Sequence, residues 1–142
     1  MLEDRTKHLE FIQNAIGRMA GNSFLLKGWS VTLAAALVAL AAKDTDLRFS
    51  ILALIPPFIF WGLDAYYLRL ERLFRALYDD VRQLPEQELL QNLGPFSLSV
   101  EQYSDCVDSW FKTLSSDAVI WLHGTVVVTV VALIISIHIS DN

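Results

Sequence analysis

The stretch AVIWLHGTVVVTVVALIISIHI, residues 118–139, decides the fold. No residue in it carries a fixed charge, and most are Val, Ile or Leu. About 20 such residues cross a hydrocarbon core of roughly 30 Å. The β-branched bias would favour a strand in water. In lipid a lone strand leaves its backbone groups unpaired, so a transmembrane helix is expected over 119–139.

Two further apolar stretches lie upstream, near residues 24–42 and 49–67. Lys27 interrupts the first, at a point where its ammonium can snorkel to headgroups beside Trp29. The second contains Pro56-Pro57, which predicts a kinked helix, and ends with Asp64. The composition agrees: 54% of the 142 residues are hydrophobic and 19% charged, with a mean hydropathy of +0.39. A soluble domain carries about a quarter charged residues. Ala39-Leu40-Ala41 has the look of a signal-peptide cleavage site, but a long, mixed-charge, periodic segment precedes it where a signal peptide has a short basic one.

Charge sets the expected orientation. Arg5, Lys7, Arg18 and Lys27 precede the first span, and Arg69, Arg72, Arg75, Arg82 and Lys112 lie between the second and third. Only Lys43 and Arg48 fall on the other side. The positive-inside rule places the N-terminus and the 69–118 segment in the cytoplasm and Ser140-Asp141-Asn142 outside. The fold expected is an all-α membrane protein with four parts. Residues 1–23 form an amphipathic N-terminal helix, 24–68 a transmembrane hairpin, 69–118 a cytoplasmic helical insert, and 119–142 the third span and a short outer tail.

Within the N-terminal part, Leu9, Ile12, Ile16 and Met19 recur at helical spacing, for packing on the membrane or on the insert. Gly21-Asn22-Ser23 reads as a break, with Ser23 capping the first span. In the insert, Leu70, Leu73, Leu77, Val81 and Leu84 make one stripe, broadened by Phe74 and Tyr78, with the arginines opposite. Pro85 and Gly94-Pro95 bracket a short helix. Ser99 is expected to cap another, carrying Val100, Tyr103, Val107, Trp110, Phe111 and Leu114 on one face.

Catalysis has little support. There is no phosphate-binding glycine loop, nucleophile elbow or His-Glu-x-x-His pattern. His8, His123 and His138 are scattered, Cys106 is single, and no cofactor or metal is expected. The net charge of −5 speaks against a duplex nucleic-acid surface.

The last span is more suggestive. Thr125, Thr129, Ala132, Ser136 and Ser140 stay within about 80° of one another at 100° per residue. Two readings fit this small, mildly polar stripe: a pore lining, with hydroxyls facing water, or a seam for close helix packing. Under the first, Val128, Val131 or Leu133 would form dewetting constrictions. Span one is rich in Ser and Ala, which favours packing. Lys27 could snorkel or line a cytoplasmic mouth. Asp64 would be an interfacial carboxylate in contact with water, or would pair with a partner such as Lys27 of another subunit. Arg69, Arg72, Arg75 and Arg82 would meet anionic lipid headgroups or a phosphate ligand.

Two stretches, HLEFIQNAIGRMAGNSFLLKGW at 8–29 and LDAYYLRLERLFRALYDDVR at 63–82, resemble small bacterial multi-pass membrane proteins. They look like the channel subunit of the Hailong anti-phage system. The resemblance covers about 40 residues and the layout of spans, and three spans depart from the two common among such effectors. It implies an oligomeric channel of the bacterial inner membrane, closed at rest. A nucleotide or oligonucleotide signal from a partner nucleotidyltransferase would open it and depolarise the membrane. Three thin spans cannot enclose water alone, so a homo-oligomer, tetramer first, is expected. A holin-like lysis protein and a non-conducting anchoring subunit are the alternatives.

Overall fold

Helix is the secondary structure that satisfies every backbone group within its own segment, and helices make up all the regular structure among the described residues. The computed structural model describes residues 2–44, 47–94 and 96–140. In chain order the elements are α1 (Leu2–Asp44), α2 (Leu47–Leu52), α3 (Ile55–Gln83), α4 (Glu86–Asn92), a 3-10 turn (Glu101–Tyr103), α5 (Trp110–Leu114) and α6 (Asp117–Ser140). Three stretches, carried by α1, by α2 with α3, and by α6, are long and apolar enough to cross a membrane.

Three local expectations give way. Gly21-Asn22-Ser23 is no break: α1 runs unbroken through it for 43 residues, about 65 Å at 1.5 Å per residue. The glycine cost of a helix interior, about 1 kcal/mol each, is small against the packing of the rest of α1. Pro56 and Pro57 do not kink a helix; they occupy its first turn, where the missing N–H groups have no intrahelical partner to lose. The chain turns just before them, at Ala53-Leu54. Nor do residues 100–114 form one capped helix. They fold as the 3-10 turn and the short α5, whose N-cap is Ser109, accepting from the Lys112 N–H. Ser99 instead donates its own N–H to Ser97 Oγ. The short helix after Pro85 is present as α4, followed by Gly94 at φ +70°; Pro95 lies outside the described residues.

The core comes in two zones on one antiparallel pair, α1 and α3. In the zone far from the apolar spans, Ile12 and Ile16 of α1 meet Leu73, Leu77 and Val81 of α3, with Leu89 and Tyr103 closing over them. Each fully buried aliphatic side chain here contributes about 1.5–3 kcal/mol. Arg5 ties the pair at its end, donating to the carbonyls of Val81 (2.7 Å) and Leu84, where the last turn of α3 leaves acceptors unpaired. In the apolar zone, Ala34, Ala53 and Val130 form a thin seam flanked by Leu37, Leu54, Val126 and Ile134. Lipid tails are as apolar as these residues, so this seam holds by close packing and gains nothing from leaving water. What else holds α6 against α1 and α3 must therefore be polar.

A buried polar cluster joining the three long helices

That polar contact sits between the two zones. Asp64 of α3 is fully buried. On one side is Lys27 of α1, whose Nζ lies 2.7 Å from each carboxylate oxygen. The same ammonium donates to Ser23 Oγ at 2.7 Å, and Ser23 in turn donates to Asp64 Oδ1. On the other side is His123 of α6, also fully buried, with Nε2 3.0 Å from Asp64 Oδ2. One carboxylate thus binds all three long helices. An ionised carboxylate is tolerated at such a depth only when a counter-charge and hydrogen bonds replace the lost water, and all are present here.

Aromatic rings frame the cluster. Trp61, one turn before Asp64, stacks on the His123 ring (centroids 6.2 Å apart, planes 11° from parallel) and donates its indole N–H to the Leu114 carbonyl at 2.9 Å. Trp110 of α5 donates to the Gly62 carbonyl at 3.0 Å, so two indoles fasten α5 over this end of α3. Trp29 and Trp121, each two residues from a member of the cluster, are exposed. Exposed tryptophans beside apolar spans are enriched at membrane–water interfaces.

The pairing of Lys27 with Asp64 is therefore made within one chain and not between subunits, and Asp64 has no contact with water. In the sequence His123 reads as one of three scattered histidines. The available signal was that each apolar stretch carries one ionisable residue near one end: Lys27, Asp64 and His123. Separations of 37 and 59 residues concealed their convergence.

The arginines do not converge. Arg69 donates to the carbonyls of Asp108 (3.1 Å) and Ser104 (3.5 Å), and Arg72 lies 3.5 Å from the Asp108 carboxylate. Together they hold the 104–108 loop onto α3. The hydrogen bond and charge of Lys112, with Arg72 behind, keep the Asp108 carboxyl below the usual carboxylate range. Arg75 pairs with Glu71 and Arg82 with Asp79, each along the exposed side of α3.

On α6 the face turned inward is Val119, His123, Val126, Val130 and Ile134. The small polar stripe is offset from it: Thr125, Thr129, Ala132 and Ser136 are exposed, as are Val128, Val131 and Leu133. Thr125 donates to the Trp121 carbonyl at 2.6 Å. The side chain of Ser140, with Asp141 and Asn142, lies outside the described residues. Thr125 and Thr129 border a groove of about 520 Å³ whose other wall is the Val31, Ala35, Ala39 and Ala42 face of α1. Neither a protein-family model, nor a curated protein, nor a solved structure matches the chain.

Proposed function

We propose that the protein is a homo-oligomeric membrane channel, built from several copies of this three-span unit around a shared axis. One observation carries the reading: the Thr125–Thr129–Ser136 face of α6 is left exposed by the single chain, yet lies on a helix apolar enough to cross a bilayer. Hydroxyls turned to acyl chains gain nothing, whereas turned to water or to another helix they find partners. The exposed face of α1 offers the matching contact. Gly17, Gly21, Gly28, Ala35 and Ala39 recur along it, and nothing approaches the three glycines within the chain. Small residues at such spacing let helices of separate subunits meet closely.

In this reading the basic side faces the cytoplasm, as the lysine and arginine distribution requires. The charged end of α1 and α3, with α4 and α5, is the regulatory part. A nucleotide signal would meet Arg75 and Arg82, whose side chains are more than half exposed. A role in anti-phage defence follows from the likeness of the 8–29 and 63–82 stretches to Hailong-type channel subunits. Conductance of purified protein in liposomes tests the channel. Thr129→Trp should abolish the currents, and unchanged currents would remove α6 from the pore lining.

A further inference from the structure

We propose that the Lys27–Asp64–His123 cluster is a proton-binding site, at which protonation of His123 frees α6 from α1 and α3. Three observations carry this. First, Asp64 already has its counter-charge: Lys27 sits 2.7 Å from both of its oxygens. A neutral His123 that donates its Nε2 hydrogen to Oδ2 completes the set without changing the charge. Second, His123 Nδ1 is buried and has no hydrogen-bond partner among the described residues. A lone pair is tolerated there at modest cost. A proton taken up from the bulk onto Nδ1 creates an N–H with no acceptor on a cation that no carboxylate is left to balance. Third, the apolar seam beyond the cluster is thin, so little else resists the departure of α6.

No described group stands within hydrogen-bond reach of Nδ1. From α1 the groups facing the cluster are Lys27 and Ser23; from α3, Asp64 itself, with Tyr67 one turn on and only partly buried. Lys112 of α5 points outward and is paired with Asp108, and Asp117, at the start of α6, is exposed. Trp61 covers the ring face. Water reaching Nδ1 would relieve the unpaired N–H, and α6 must move to admit water. Lys27, 24% exposed, is where the cluster reaches its surroundings.

The inference does not depend on conduction, because its readouts are a distance and a fluorescence yield. Spin labels at Leu25→Cys on α1 and Ile120→Cys on α6, both exposed positions, would be placed in full-length Cys106→Ser protein. Labelled chains would be diluted with unlabelled ones in lipid nanodiscs. The label distance should lengthen by roughly 2 Å or more between about pH 7.5 and pH 5. His123→Gln should hold the neutral-pH distance throughout. An unchanged or shortened distance in the parent protein, or an equal lengthening in His123→Gln, would overturn the proposal. A second readout leaves Lys27, Asp64 and His123 unchanged. Imidazolium quenches a stacked indole, so the Trp61 emission, taken as the difference from Trp61→Phe, should fall over the same pH range. Emission that stays constant would show that His123 takes up no proton and would equally overturn it.

Discussion

Removing Lys27 should be far more harmful than a snorkelling side chain suggests. In Lys27→Met the Asp64 carboxylate stays buried at 0% exposure with only the Ser23 hydroxyl and the His123 ring as partners. Breaking a buried pair by deleting one partner costs about 3–5 kcal/mol. Lys27 itself is 24% exposed on its side chain, so the converse change, Asp64→Asn, leaves an ammonium that can swing outward. That change keeps a hydrogen-bonding amide between the helices and should cost less, about 1–3 kcal/mol. The double variant Lys27→Met/Asp64→Asn should therefore be more stable than Lys27→Met alone, although it carries one more substitution. The measurement is a double-mutant cycle from reversible unfolding in mixed detergent micelles, with an expected coupling of about 1–3 kcal/mol. A Lys27→Met loss below about 1 kcal/mol, the range of exposed pairs, would refute the reasoning. Strict additivity of the two changes would do the same.

Three other changes probe the rest of the chain. Tyr103 is buried and donates to Asp80 Oδ2 at 2.8 Å; burial, then the Asp80 carboxylate, push its phenol up from 10.0 to about 12. Because the folded-state value is raised, its contribution is complete below about pH 10 and is lost as pH rises through about 12; phenolate absorbance should show this late titration in the parent and lose it in Tyr103→Phe. Arg5→Ala uncaps the last turn of α3 at Val81 and Leu84 and should cost about 1.5–3 kcal/mol, read as faster hydrogen exchange in residues 80–84. Ala34→Leu forces a larger side chain into the seam with Ala53 and Val130 and should cost about 1–3 kcal/mol in the same unfolding assay.

The spans were legible because the bilayer imposes both a length and a polarity on any helix that crosses it. The stripe Leu70, Leu73, Leu77 and Val81 was legible for the same kind of reason, since its period of 3.6 has one use, and those side chains face α1. Local signals failed where a residue served a distant partner. Ser23 reads as a cap because serine usually satisfies the nearest backbone, but here it serves a carboxylate 41 residues away. Pro56-Pro57 reads as a kink because sequence fixes where the prolines are and not where the helix begins. The 100–114 segment keeps helical spacing in its apolar residues, yet Arg69 and Arg72 draw its backbone and Asp108 onto α3 in place of its own helical bonds. Asp64 reads as solvated because nothing nearby in the chain neutralises it; its neighbours arrive from α1 and α6.

The unbroken course of α1 has a mechanical consequence. A stiff rod of 43 residues carries Arg5 and His8 near one end and Lys27 near its middle, with no joint between them to absorb a displacement. A tilt of about 5° imposed at the headpiece shifts the Lys27 level by roughly 2–3 Å, the scale of the hydrogen bonds found there. Whatever leans on the first turns of this protein is felt, as leverage, by the ion pair halfway along the rod.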